Sequence, residues 1–202
     1  YYRVMYRGSV ASWNLRDQHM FDTLAMLLDT YGPESRAVVW AHNSHLGDAS
    51  ATAMGRRGEH NVGQLVRARF GEDAYLIGFG THAGSVAAAH DWGEPMRVMD
   101  VRPSHPSSWE RLGHDAGIPA FLLPLRDADA DLRRDLSADR LERAIGVIYR
   151  PATELMSHYF EASLARQFDE WIWLDRTSAV TPIGEEHRAG MEGLADTFPF
   201  GL

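Results

Sequence analysis

The stretch Ala37-Val38-Val39-Trp40-Ala41-His42-Asn43-Ser44-His45-Leu46-Gly47-Asp48 decides the reading of this chain. Four apolar residues, two of them β-branched, follow the turn signal Gly32-Pro33 and run directly into a polar cluster with two histidines. An apolar run of this length between turn residues reads as a buried strand. In open α/β sheets, chemistry collects just beyond the carboxyl ends of strands. His42 and His45 stand three residues apart, so they converge only if the backbone turns, which Asn43, Ser44 and Gly47 favour.

Working outward, Tyr1–Tyr31 reads as a helix, with Trp13, Met20, Phe21, Leu24, Leu27 and Leu28 at helical spacing. Downstream, Val62–Phe70 reads as a helix carrying Leu65, Val66 and Phe70 on one face. Ala74–Gly80 reads as a second buried strand that runs into Thr81-His82-Ala83-Gly84-Ser85. Met96–Val101, Ala120–Leu125, Ala144–Tyr149 and Phe168–Leu174 are further strands, and a helix begins at Ser107. Trp13, Trp40, Trp109, Trp171 and Trp173 are assigned to the core. Strands alternating with helices predict an α/β fold with a largely parallel central sheet flanked by helices. Residues 1–184 are read as one unit, and 185–202 as a tail, disordered or a docking arm.

Composition narrows the chemistry. All 20 basic residues among the 202 are arginine, and cysteine is absent. That excludes a Schiff-base or P-loop lysine, a thiol nucleophile, a disulfide framework and Cys-ligated metal. A net charge of -8 argues against nucleic acid or an anionic membrane as partner. No apolar run approaches the ~18 residues of a membrane helix. The lack of cysteine fits a reducing compartment, and a cytoplasmic location is expected. The chain opens on Tyr1 inside an apparent helix, so a fragment of something longer is expected.

Among the ten histidines, His42 and His45 are the catalytic candidates, because imidazole titrates near neutrality. The alternative is that one caps a following helix and the other lies on the surface. His42-x-x-His45 with Asp48 also resembles a metal-ligand set, a spacing that ten histidines produce by chance. Ser85 lacks the Gly-x-Ser-x-Gly elbow of a serine hydrolase, and Gly78-Phe79-Gly80 lacks the third glycine of a dinucleotide fingerprint.

Trp40-Ala41-His42-Asn43-Ser44-His45 resembles the erythromycin esterase family. The resemblance continues in Met54-Gly55-Arg56-Arg57-Gly58-Glu59-His60-Asn61-Val62-Gly63, in Ile77-Gly78-Phe79-Gly80-Thr81-His82-Ala83-Gly84-Ser85 and in Tyr149-Arg150-Pro151-Ala152-Thr153-Glu154. Upstream, Asn14-Leu15-Arg16-Asp17-Gln18-His19-Met20 is similar to the family's Asn-x-Arg-Asp-x-x-Met helix. Ser85 stands where Thr is commoner, a departure that bears on substrate rather than membership. The resemblance implies an erythromycin-esterase-like fold, incomplete at its N-terminus, and hydrolysis of an ester, in some members a macrolide lactone, by a histidine-activated water. It implies that His42 and His45 line the cleft and that the water-activating His and its Glu lie in an N-terminal half. That half of the same chain is then needed for a complete site. Arg16 and Asp17 on the helix motif, with Asn43 and His82 at strand ends, are the substrate-binding candidates. No metal and no cofactor is assigned, and the partner is a small-molecule ester. Two other readings stay open: a metal-dependent hydrolase using His42 and His45, and a non-catalytic small-molecule-binding homologue.

Overall fold

The computed structural model describes residues 10–181. The proposed tail 185–202 and the first nine residues of the helix read from Tyr1 lie outside them. Helix α1 (Val10–Tyr31) buries Asp17, Phe21 and Ala25, a stripe at four-residue spacing that stays on one helical face. It ends at Gly32, whose φ of 92° lies in the left-handed region glycine tolerates. The short helix α2 (Asn43–Leu46) follows an extended connection. Helix α3 (Val62–Phe70) starts on Asn61, whose side chain accepts the Gln64 N–H, and stops at Gly71. Phe21 of α1 packs against Phe70 of α3, with ring centroids 6.5 Å apart.

The main sheet contains β1 (Ile77–Ala88), β2 (Arg97–Val101), β3 (Ala120–Pro124) and β6 (Glu170–Thr177), in the order β2-β1-β6-β3. Helix α4 (Trp109–Asp115) lies between β2 and β3 in the chain. Strands β4 (Arg140–Arg143) and β5 (Tyr159–Ala162) form a separate antiparallel ribbon. Trp171 and Trp173 of β6 turn inward onto Leu76, Trp109, Leu125, Leu164 and Phe168, which build the main core. Gly78 and Gly80 of β1 admit this packing: a Cβ at either would come within 2.6 Å of the Phe168 ring or 2.2 Å of the Trp171 ring. Among the described residues, no helix is long and apolar enough to cross a membrane.

Two sequence expectations are corrected. The sheet is mostly antiparallel: β1 and β6 run parallel, whereas β2 is antiparallel to β1 and β3 to β6. Apolar runs mark strands but carry no direction, and the turn through Gly93 (φ 79°) returns the chain beside β1. The second correction concerns two expected strands. Ala37–Trp40 is extended but pairs with no strand among the described residues, where Val38 is 95% and Trp40 84% exposed, so Trp40 is not part of the core they form. Ala144–Tyr149 makes one isolated bridge, Ile148 to Ala89, and the paired strand lies just before it at Arg140–Arg143. That strand, Arg-Leu-Glu-Arg, points Glu142 and Arg143 into the interior and so has no apolar signature. The strand read at Ala74–Gly80 begins at Ile77 and continues through His82 to Ala88.

Gly63, in the first turn of α3, sets how closely α3 approaches α2. A Cβ there would lie 2.1 Å from the Leu46 carbonyl oxygen and 2.6 Å from that of Gly47. Backbone oxygens cannot swing aside as side chains do. Gly63→Ala is therefore expected to cost about 2 kcal/mol or more of stability, read as a lowered denaturation midpoint at unchanged m-value.

Candidate active site

Asp17 has no exposed surface. Both carboxylate oxygens accept from Nδ1–H of His45, at 3.0 and 2.9 Å, and one also accepts the Val62 N–H at 3.2 Å. Arg16 Nε stands 3.8 Å away. Three separate chain segments thus meet on one carboxylate. With the proton fixed on Nδ1, neutral His45 carries a lone pair on Nε2. That nitrogen has no hydrogen-bond partner among the described residues, and the side chain is 20% exposed.

Trp13 lies flat on the His45 ring, centroids 4.6 Å apart and planes within 5°. Its own Nε1–H donates to the His60 carbonyl at 2.9 Å. Asn14, the next residue, donates to the Gly58 carbonyl and accepts the His60 N–H, both at 2.9 Å. The Asn14-x-Arg16-Asp17 motif therefore clasps Gly58 and His60 through Asn14, and Val62 and His45 through Asp17. Asn61 completes the frame: its amide donates to the carbonyls of Ser44 (2.8 Å) and Gly47 (2.6 Å), holding α2 from outside.

His42 is used differently. Its Nδ1 accepts the Ser44 N–H at 3.2 Å and caps α2. Since Nδ1 accepts, Nε2 carries the proton and donates to the Ile145 carbonyl at 3.0 Å. Burial, aided by the nearby His45, holds its pKa below the ordinary 6.5, and the Ile145 bond opposes this. His42 is thus the helix cap that the sequence offered as an alternative, while His45 is the ring with a nitrogen left unpartnered among the described residues. Asn43 spends its side chain on β1, donating to the Phe79 carbonyl (2.7 Å) and accepting the Phe79 N–H (3.2 Å). That pairing ties α2 to the sheet as an added strand would.

The remaining candidates disperse. His82 is bonded through Nδ1 to Ser104 Oγ at 2.7 Å and stacked on His114 at 3.6 Å. Burial first, then His114, holds its pKa below the ordinary value. Asp48 caps the turn at Ala49–Ala51 and pairs with Arg67 at 3.4 Å, so its carboxylate is committed elsewhere. Among the described residues, His42, His45 and Asp48 form no metal-holding cluster. Sequence reasoning overlooked Asn61 as part of this frame. An Asn directly before an apolar-periodic helix is a capping signal, but its two bonds back to α2 carry no sequence mark.

A family model described as erythromycin esterase matches residues 1–177. Three solved structures resemble the chain. A succinoglycan biosynthesis protein is 22% identical over 87% of this chain and 42% of its own, with a TM-score of 0.68. A protein from Bacillus cereus is 18% identical over 84% and 40%, with a TM-score of 0.70. A mutant of the erythromycin esterase EreC in its open conformation is 18% identical over 82% and 38%, with a TM-score of 0.54. At these identities the likeness is one of fold. The chain spans about two fifths of the length of the solved structures it matches.

A pH titration followed by ring nitrogen chemical shifts checks the assignment at His42. The expected outcome is a neutral Nε2–H ring that takes its second proton below the ordinary 6.5. Since the folded value is the lower one, the cap's contribution to stability is present above that ordinary value and is lost as pH falls through the folded value.

Proposed function

Because the chain belongs to the erythromycin esterase family, we propose that it contributes His45 as a general base in the hydrolysis of a carboxylic ester. The observation that carries this reading is the buried Asp17–His45 pair with Nε2 left unpartnered. A carboxylate on Nδ1–H fixes the tautomer and ring orientation, and it favours the imidazolium that forms when Nε2 takes a proton from water. A neutral ring in this tautomer accepts a proton and does not donate one to an oxyanion. His42 holds α2 in place through its cap and its bond to Ile145. Arg16, half-exposed beside the Asp17–His45 pair, is the side chain proposed to meet the substrate. Asn43 and His82 support the surrounding backbone.

In this reading the family's upstream His and Glu, from an N-terminal half of the same polypeptide, complete the site, and water activation passes to His45. The substrate is a small-molecule ester, with a macrolide lactone the class that the family's description suggests. The chemistry calls for no metal or cofactor at His45. The cysteine-free composition supports a cytoplasmic setting.

The test is turnover of macrolides and simple esters by the complete protein. His45→Ala is expected to lower kcat by about 10²–10⁴-fold with little loss of stability. Asp17→Asn keeps the acceptor for Val62 but donates to His45 Nδ1, which moves the ring proton to Nε2, and should cost a similar factor. His42→Ala should lower turnover together with thermal stability, because it releases α2. Turnover unchanged in both His42→Ala and His45→Ala would overturn the reading.

A further inference from the structure

Beneath α2 lies a polar cluster that the proposed chemistry does not use. Glu142 of β4 and Glu110 of α4 are each 3% exposed, and Gln167 beside them is 2% exposed. Glu110 accepts the Arg143 N–H through Oε1 at 2.8 Å, and Gln167 Nε2 lies 3.4 Å from Glu142 Oε1. Glu110 Oε2, Glu142 Oε2 and Gln167 Oε1 are all buried without a partner among the described residues. Three buried oxygens that each lack a donor leave the cluster short of hydrogen, and an ordinary pair of carboxylates there would add two charges with no cation beside them. The nearest cation does not balance them. The Arg143 guanidinium is directed to Glu154 (3.3 Å) and to the carbonyls of Thr81, His82 and Arg102.

We propose that Glu142 keeps its proton beneath α2, and that this neutral acid is a positioning element for the segment carrying His42 and His45. One proton supplies the missing donor and removes one of the two charges. Turning the Gln167 amide over lets its Oε1 accept from a protonated Glu142. Burial first, and Glu110 second, push Glu142 up to about 8, with the Gln167 and Asn43 amides acting against the rise. Glu110 is also raised, by burial.

The cluster touches both ends of α2. Asn43, its first residue, acts on Glu142 while pairing with Phe79. Gly47, its C-cap, rests on Gln167 so closely that a Cβ there would lie 2.6 Å from Nε2. The Asp48 N–H donates to the Gln167 carbonyl at 3.0 Å. From α2 the cluster is faced by Asn43 and from the helix Leu164–Gln167 by Gln167, neither of which is charged. Arg143 on β4, Tyr159 on β5 and Glu154 beyond Arg143 are the titratable and charged neighbours. Loss of the Glu142 proton therefore puts a negative charge against the two amides that seat α2.

The inference concerns the seat of α2 and rests on the esterase reading for its effect on turnover alone. In the complete protein, wild type is compared with Glu142→Gln, the neutral isostere, by thermal unfolding from about pH 5 to pH 9. Folded Glu142 keeps a proton that an unfolded glutamate, ordinarily at 4.5, has released. Wild-type Tm should fall as pH rises from that value to about 8 and level off above it. Glu142→Gln should lack this fall and lose the protonated-carboxyl infrared band that wild type shows at neutral pH. Ring nitrogen signals of His42 and His45 should shift near pH 8 in wild type and stay constant in Glu142→Gln. If that variant fails to fold, Glu110→Gln serves: without the Glu110 charge that helps push Glu142 up, the alkaline midpoint should move down, and an unmoved midpoint would overturn the proposal. An unchanged pH slope and a retained band in Glu142→Gln would overturn the proposal. So would a wild-type Tm raised by added Ca²⁺ or Na⁺ but unaffected in the variant, since a cation would then balance the pair. Absent turnover with these shifts intact would count against the esterase reading alone.

Discussion

A single buried carboxylate holds the candidate site together. Asp17 accepts from His45 and from the backbone of Val62, and it does so from inside α1 with no surface exposed to water. A charge in that position is tolerable only when its acceptor capacity is filled. The need to fill it brings α1, α2 and the start of α3 to one point. Everything around it follows the same logic: Asn14 satisfies the 58–60 backbone, Asn61 satisfies α2, and Gly63 leaves room for their approach.

This frame divides two histidines of similar appearance. His42 has both ring nitrogens bonded within the protein, whereas His45 has one bonded and one without a partner among the described residues. Chemistry requires a nitrogen that is oriented and also available, and His45 meets both conditions. The division is a matter of backbone path: the turn at Asn43, pinned to Phe79, sends one ring toward Ile145 and the other toward Asp17.

Much of this was legible in the sequence, and the rest was hidden for physical reasons. The helix Val62–Phe70 was read at its observed bounds from its apolar face, and in the structure an Asn cap and a following glycine bound it there. The strand Arg97–Val101 was read within a residue. The His42–His45 turn was identified by its turn formers. The run Ala37–Trp40 misled because four apolar residues look alike whether paired or merely extended, and here they are exposed. Strand β4 escaped notice because its inward residues are Glu142 and Arg143, which advertise a surface. Asp17 was legible as a member of a motif but not as the partner of His45, since the contact spans 28 positions and leaves no local pattern.

The bond from His42 Nε2 to the Ile145 carbonyl joins residues 103 positions apart. Closing a loop of that length costs chain entropy that only the surrounding structure recovers. The short α2 helix has little stability of its own, as a single helical turn is an unfavourable nucleus. The placement of α2 therefore depends on chain that lies 103 positions beyond His42. The Asp17 side of the frame can assemble while the chain is still being made, but the His42 side waits for the β4–β5 ribbon. A ribosome-bound intermediate ending before Ile145 holds both histidines and lacks the anchor that fixes where they stand.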